Sequence, residues 1–388
     1  MAVVGAGAFG GWTAISLLRR GARVTLIDAW GPANARASSG GETRVIRAIY
    51  GPDGKIVRMV VRALALWREN EARWSRRLFR STGVLWLTGK DDRFETASLP
   101  LLREAGLPVE ELTVAEAAKR YPQINFKGIR RVLYEKEAGY ILARRSCQDV
   151  VEGFVAEGGE YRQAESRPGA IHEGRMAEIA LSDGSRFAAD HYVFACGPWL
   201  GKVFADVIGD SMTPTRQEVF FFGTPPGDAR YRDDGLPVWV DHGARIFYGI
   251  PAADGRGFKV ADDSRGPVVD PTTQERVPTA DALRAARDQL RFRFPGLADA
   301  PLLESRVCQY ENTPDGRFII DRHPEAANVW IAGGGSGHGF KHGPVVGEQV
   351  ADLVLGVAKP DPYFSISRFA ANPAKVTTFS GAIRLNPA

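Results

Sequence analysis

The sequence predicts an α/β (α+β) protein: a parallel-sheet domain interrupted twice by pieces of a second domain, itself built on a mostly antiparallel sheet. Three observations predict it. The chain opens with strand, glycine-rich turn, helix and strand, ending at Asp28, which is the layout of a βαβ unit. Two later segments, Tyr192-Val193-Phe194-Ala195-Cys196 and Asn328-Val329-Trp330-Ile331-Ala332, are continuous apolar runs that read as strands buried on both faces. The stretches between them are β-rich and more polar, as expected of a sheet with one wet face. The order of these features assigns 1–82, 140–215 and 318–375 to the first domain, 83–139 and 216–317 to the second, and 376–388 to a C-terminal tail.

Each element has a local reason. Ala2–Val4 is a short apolar strand, and Gly5-Ala6-Gly7-Ala8-Phe9-Gly10 is the turn after it. A helix follows from about Phe9 to Arg20, Gly21 ends it, and Arg23–Asp28 is the second strand. A long amphipathic helix covers about Lys55 to Arg77, with Met59, Ala63, Leu66, Trp67 and Trp74 on one face. Gly83–Thr88 reads as a strand. Thr113-x-x-Glu116 is a capping box that opens a short helix stopping before Pro122. Met176–Leu181 and Arg186–Ala189 flank Ser182-Asp183-Gly184-Ser185 as a β-hairpin. Glu218–Phe222 and Arg245–Ile250 are further strands. A helix from about Asp281 to Phe294 ends at Pro295-Gly296. The last third holds the glycine loop Gly333–Gly339 and a helix from Pro344 to about Leu355, with Pro344 at the first helical position.

Composition narrows the function. Of 388 residues, 44% are hydrophobic and 25% charged, which excludes a disordered, collagen-like or coiled-coil chain. The net charge of +4 is spread along the chain without a basic tract, so no nucleic-acid partner is expected. No apolar run reaches the roughly 18 residues of a membrane span, and the N-terminus carries no signal-peptide pattern. Cys147, Cys196 and Cys308 form no CxxC pair and cannot build a disulfide framework. Reduced thiols and a cytoplasmic setting follow as the expectation.

Gly5-x-Gly7-x-x-Gly10 sits between a strand and a helix, with Asp28 closing the next strand. In that context the glycines let the backbone approach a pyrophosphate at the helix N-terminus, whose amides and dipole favour an anion. Asp28 is suited to hold a ribose 2′-hydroxyl, which argues against a 2′-phosphate. The motif alone does not separate NAD from FAD. His338 and His342 are four apart, as in a helical metal pair, but Gly339 and Gly343 argue against a helix there and no third ligand is evident. No metal is expected.

Several blocks resemble the family of monomeric sarcosine oxidase and N-methyltryptophan oxidase. They are Ser38-Ser39-Gly40-Gly41-Glu42-Thr43-Arg44-Val45-Ile46-Arg47 with Tyr50-Gly51, then Ala195-Cys196-Gly197-Pro198-Trp199. The most specific are Cys308-Gln309-Tyr310-Glu311-Asn312-Thr313-Pro314-Asp315 with Phe318-Ile319-Ile320-Asp321, and Gly335-Ser336-Gly337-His338-Gly339-Phe340-Lys341. The resemblance runs in order from residue 2 to about residue 370. It implies a Rossmann-type FAD-binding domain beside a substrate domain, with FAD attached covalently through the sulfur of Cys308.

The resemblance also implies roles. Cofactor contacts fall on Gly5, Gly7, Ala8, Phe9 and Gly10 in the turn, and on Asp28 and Ala29 after the second strand. Ser38, Ser39, Thr43 and Arg44 supply the next loop, and Gly337, His338, Gly339, Phe340 and Lys341 the late one. Arg47 and Lys341 hold a substrate carboxylate, with Tyr248, Tyr310 and Asp263 completing the substrate site. Arg44 lies against the flavin, and Lys259, in Gly257-Phe258-Lys259, activates oxygen; Arg44, His338, Tyr248 and Lys259 make the catalytic set. Cys147 and Cys196 match no such position and read as structural.

One departure bears on the substrate. Sarcosine oxidases of this family carry a histidine four residues after the lysine, where this chain has Asp263, preceded by Asp262. Ser39 and Gly40 also stand where those enzymes have a histidine pair. A larger or cationic amine is therefore expected in place of sarcosine. The implied reaction is oxidation of the C–N bond of an amino acid or N-substituted amino acid, giving an imine and, with dioxygen as acceptor, hydrogen peroxide. Two alternatives stay open: a flavin dehydrogenase of the same fold that uses another acceptor, and a non-catalytic dinucleotide-binding module. The expected partners are a small-molecule amine or amino acid and dioxygen, with the chain a monomer or small homo-oligomer.

Overall fold

The computed structural model describes residues 1–371 except 244. The tail expected at 376–388, with the last four residues of the 318–375 segment, lies outside the described residues.

Six strands form the first sheet, in the spatial order Ile319–Arg322, Val329–Gly333, Tyr192–Phe194, Ala2–Val4, Thr25–Asp28, Glu160–Gln163. All neighbours are parallel except the first pair. Val3 lies opposite both Val193 and Leu26, and all three are fully buried under one face, while Val4, Ile27 and Phe194 are buried under the other, so the continuous apolar runs are explained by cover on both faces. The strand Glu178–Leu181 and the one-turn helices Leu200–Val203 and Ala205–Ile208 pack on one face, and three helices cover the other: Ala8–Arg19, Gly343–Val354 and Ala143–Ala156. The last is an addition to the elements expected from the sequence. Its Cys147, Val150, Val151 and Phe154 stand at i, i+3, i+4 and i+7 and are all buried.

The long helix spans Gly54–Trp74, capped by the Asp53 carboxylate accepting from the Ile56 N–H at 3.1 Å. It stops three residues earlier than expected because Ser75 turns left-handed, at φ 52°. The capping box is complete: the Glu116 N–H donates to Thr113 Oγ1 and the Thr113 N–H to Glu116 Oε2, at 3.2 and 2.8 Å. The expected hairpin forms between Glu178–Leu181 and Arg186–Ala188, but Arg175–Met176 pairs with Ile171–His172 instead, so the anticipated single strand breaks at Ala177.

The second sheet has eight strands, in the order Leu302–Asn312, Thr213–Phe222, Phe258–Asp262, Ile246–Ile250, Val238–His242, Val84–Thr88, Arg131–Glu135, Val109–Leu112. It is antiparallel apart from one parallel pair, Val238–His242 with Val84–Thr88. Only the apolar half of Thr213–Phe222 is evident in the sequence. Its polar half is sheet because Arg216, buried, donates to the Glu218 carboxylate and the carbonyls of Glu275 and Val277. Leu302–Asn312 is hidden for the same reason: it alternates polar and apolar residues and carries a buried Gln309 and Asn312.

Alternation along the second sheet decides what faces the first. Phe258 and Val260 point into an aromatic core with Trp239 and Phe294. Lys259 and Ala261 therefore point the other way. Across the ladder Lys259 stands opposite Ile250 and Phe221, Ala261 opposite Tyr248, and Tyr248 opposite Val240. Cys308 and Tyr310, two apart on the long strand, share a face as well. A small antiparallel sheet of Arg44–Ile46, Gly139–Ile141 and Phe79–Arg80 adds the basic loop to this region. No described helix is long and apolar enough to cross a membrane.

Candidate active site

A cavity of about 300 Å³ opens at the C-terminal edge of the first sheet. The glycine turn forms its floor. Gly5 has φ 104°, and a Cβ at Gly10 would sit 1.8 Å from the Gly5 carbonyl oxygen, so strand and helix approach only because both positions lack side chains. Gly7 caps the helix without a side chain, which leaves the first amides of Ala8–Arg19 open to an anion. Asp28 closes the second strand and is committed to the backbone: it accepts from the amides of Ala6, Trp30 and Gly31 at 2.8–2.9 Å. Burial lifts its carboxyl above the usual range despite those bonds. Ser38 Oγ and Glu311 Oε2 are buried at the cavity wall without a partner. Burial raises the Glu311 carboxyl to about 7. Glycine floor, open helix amides and unpartnered polar atoms together fit an elongated, anionic dinucleotide such as FAD.

A second cavity adjoins the first through shared Arg44, Tyr310, Gly337 and Phe340. Arg47, Lys341, Tyr248, Asp263 and His338 line it. Tyr50, fully buried, organises the cationic wall. Its ring lies 4.5 Å below the Arg47 guanidinium, with Trp86 on a second side at 5.1 Å. Its hydroxyl accepts from Lys341 Nζ at 2.7 Å and lies 3.3 and 3.2 Å from His338 Nδ1 and His342 Nε2. His338 Nε2–H donates to the Gly316 carbonyl, so its Nδ1 is an acceptor. Both histidines stay neutral, held well below their usual range by burial and by Lys341. Burial and Arg47 push the Lys341 amine well below its ordinary value.

Lys259 stands on the far side of the shared wall. It is 2% exposed, its Nζ donates to the Thr43 carbonyl at 3.1 Å, and it lies 5.4 Å from the Tyr248 ring centre. Burial first and Arg44 second lower its amine to about 7. A further cavity of about 210 Å³ reaches Lys259 and Thr43 from the exposed side, past Ala253, Asp254 and Arg256. Arg44 donates to the carbonyls of Thr43 and Ser38 and, at 3.4 Å, to Cys308 Sγ. Cys308, Lys259, Tyr248 and Tyr310 border one more cavity, of about 260 Å³.

The structure thus brings most of the sequence-predicted residues around contiguous cavities. Gly5, Gly7, Ala8, Phe9, Asp28, Ala29, Ser38, Ser39, Arg44, Gly337, Gly339 and Phe340 border the cavity over the glycine turn. His338 and Lys341 border only the smaller one beside it, and Thr43 the cavity at Lys259. Gly10 lines none; its role in the turn is the absent side chain. Cys196, read as structural, does border the cavity over the glycine turn. The histidine pair does not share a helix: His338 lies in the turn before Gly339, as expected, whereas His342 ends the 3-10 turn Phe340–His342 that leads into the helix Gly343–Val354, so Gly343 does not prevent helical structure.

Other wall residues have no motif to announce them. Trp86, Phe94 and His242 line the small cavity, and Tyr50 stands behind it. His242 Nδ1 meets the buried Glu95 carboxylate, on the unexpected helix Arg93–Glu104. Glu135 is buried beneath Arg47 and takes the N–H groups of Ala48 and Trp86 Nε1, at 2.6 and 2.7 Å. Tyr50 alone has a signal, since it falls inside the Arg44–Gly51 block.

Known proteins are similar over nearly the whole chain. Monomeric sarcosine oxidase of Streptomyces avermitilis is 32% identical over 381 residues, covering 96% of this chain and 98% of its own. N-methyl-L-tryptophan oxidase of Salmonella dublin is 27% identical over 385 residues, covering 97% and 98%. L-proline dehydrogenase from P. horikoshii shares the fold, with a TM-score of 0.84 at 21% identity over 96% of this chain and 98% of that one. The family model for FAD dependent oxidoreductases, DAO, matches residues 1–353. A glycine turn shaped for a dinucleotide, a neighbouring cationic cavity and this extended match lead to one conclusion: the protein belongs to the DAO family of FAD-dependent oxidoreductases.

Proposed function

We propose that this enzyme oxidises the C–N bond of an amino acid or N-substituted amino acid, releasing an imine that hydrolyses in water, with dioxygen as acceptor and hydrogen peroxide as product. The observation that carries this reading is the cationic wall: Arg47 and Lys341 meet at one tyrosine, on a cavity that shares four residues with the dinucleotide cavity. A carboxylate bound there gains two charge-assisted partners in a largely dry site. FAD, when bound, supplies the electron-accepting ring that takes the hydride equivalent and passes electrons on. In this reading 1–82, 140–215 and 318–371 carry the cofactor, and 83–139 and 216–317 carry the substrate wall.

The chain's own residues bind, orient and exclude water. Arg47 and Lys341 fix the carboxylate, so the adjacent C–N bond is turned toward the shared wall. Tyr248, Tyr310, Trp86 and Phe94 supply the apolar sides. Arg44, tied to two loop carbonyls, contributes a fixed cation between the cavities. Lys259 supplies a second cation on the opposite side. An anaerobic screen of N-methyl, cyclic and primary amino acids tests the reading: at least one bleaches the flavin absorbance, and admitting air then restores it with hydrogen peroxide. Bleaching without reoxidation by air would transfer the enzyme to the dehydrogenases; a flavin that no amine bleaches would make it a binding module.

Covalent attachment at Cys308 belongs to the same proposal. Its sulfur lies on the sheet face shared with Tyr310, at a cavity that also holds Lys259, and accepts a hydrogen bond from Arg44. The yellow colour is expected to stay with acid-precipitated protein, and Cys308→Ser to release it into the supernatant. Wild-type protein that surrenders its flavin to acid would refute the linkage.

A further inference from the structure

Asp263 is a carboxylate without a direct ion-pair partner among the described residues; Lys341, across the small cavity, feels its charge but bonds to Tyr50 and the His338 carbonyl instead. It follows the strand Phe258–Asp262, and its N–H, bonded to the Ile246 carbonyl at 2.9 Å, fixes it over the small cavity. The other acids nearby are spoken for. Asp262 pairs with Arg245 and the Ser264 amide, Glu95 with His242, and Glu135 with backbone amides and Trp86. Among the described residues Asp263 makes no ion pair, and its carboxylate accepts from the Tyr310 hydroxyl at 2.9 Å. A half-buried carboxylate walled by aromatic rings attracts a cation strongly, and the rings add their own attraction.

Which cation it takes follows from the chemistry. A carboxylate beside the reacting nitrogen would hold it as an ammonium, whose lone pair is unavailable to push out hydride. Asp263 serves the reaction only if it takes a different positive group. We propose that Asp263 is the subsite for a second, non-reacting cation of the substrate, so that the enzyme acts on amino acids bearing a basic side chain, a diamino or guanidino acid. Arg47 and Lys341 then receive the carboxylate and Asp263 the side-chain tip, and the two fix the span between them. This rests on the amino-acid-oxidising reading above.

The test is a ratio. Anaerobic flavin reduction is measured with lysine, ornithine and arginine and with their neutral counterparts norleucine, norvaline and citrulline, in both chiralities, on wild type, Asp263→Asn and Asp263→Glu. In the wild type, the second-order rate constant for flavin reduction by the cationic member exceeds that for the neutral member at least tenfold. Asp263→Asn brings the ratio near one, and Asp263→Glu restores part of it. Retained flavin absorbance and an unchanged thermal transition show that the variants are folded. A wild-type ratio near one, or a ratio that survives Asp263→Asn, overturns the subsite. Simple alkylamines that inhibit wild type no better than the matching alcohols overturn it without any variant. If neutral amino acids reduce the flavin and basic ones do not, only the subsite falls; if no amino acid does, the amino-acid reading falls with it.

A different observation assigns a positioning role to Tyr50, and we infer that it aligns both cations of the carboxylate wall. One ring bears Arg47 on its face and Lys341 on its hydroxyl, and the Tyr50 N–H, bonded to Ser98 Oγ at 3.1 Å, anchors it. Tyr50→Phe keeps the ring and removes only the hydroxyl. KM for amino acids and the Kd of carboxylate inhibitors rise about tenfold, while kcat at saturation changes less than threefold. Decarboxylated inhibitors bind the variant as before. Equal weakening of both inhibitor types, or loss of kcat with KM unchanged, overturns this role.

Discussion

Lys259→Met is expected to slow reoxidation of the substrate-reduced flavin by dioxygen on the order of a hundredfold or more, the size of effect seen when a fixed charge-stabilising group is removed from a dry site. Anaerobic reduction by substrate changes severalfold at most. The first electron to dioxygen creates superoxide, and a buried cation close by stabilises that developing charge without reorganising. Three features support this expectation. Strand alternation turns it away from the aromatic core, it is 2% exposed, and a cavity separate from the substrate cavity reaches it. Its lowered amine supplies a second signature. Burial and Arg44 bring it to about 7, so the charged fraction falls as pH rises through that value. Wild-type reoxidation therefore slows with rising pH, with an apparent pKa at or above about 7 once negative charge gathers nearby, and the Met variant shows no such phase. Stopped-flow traces that are the same in both proteins would remove Lys259 from the oxygen step. A wild-type protein inert to air would replace dioxygen with another acceptor.

Arg47→Ala and Lys341→Ala are each expected to cost about 1.5–3 kcal/mol of carboxylate binding, tenfold to more than a hundredfold in Kd. The double variant should lose less than the sum, because both cations meet at Tyr50 and each single change disturbs the other. Substrate analogues without the carboxylate bind wild type poorly and gain little from either change. The pH dependence has a definite sign. Lys341 in the free enzyme holds its proton less tightly than an ordinary lysine, so carboxylate ligands bind with proton uptake and weaken as pH rises. Arginine stays charged throughout, so Lys341→Ala removes that slope and Arg47→Ala keeps it. Equal losses for acid and decarboxylated ligands in titration calorimetry would remove the clamp.

Local requirements are legible in the residues. The glycine turn and the Thr113–Glu116 box each satisfy a backbone need within a few residues of themselves, and the runs Tyr192–Phe194 and Val329–Gly333 are apolar on every residue or nearly so, whichever strands they pair with. The helix Ala143–Ala156 has a readable stripe that competing polar residues mask, and Arg93–Glu104 contains Pro100, which reads as a breaker. The polar halves of the long strands are hidden because their buried Arg216, Gln309 and Asn312 find partners far along the chain.

The convergence of the site belongs to the tertiary structure alone. Tyr50 meets Lys341, His338 and His342 across nearly 300 residues, and Glu135 supports the loop at Ala48 from 87 residues away. No spacing rule reaches that far, because such contacts are set by how distant segments pack rather than by the period of any one of them. Asp262 and Asp263 make the point within a single dipeptide. The sequence determined that two acids follow Lys259; only the end of one strand, the Ile246 carbonyl and the Tyr310 hydroxyl decided which pairs with Arg245 and which faces the cavity. Adjacent side chains on a strand point to opposite faces, so one-residue differences in where the strand ends decide which charge faces the cavity.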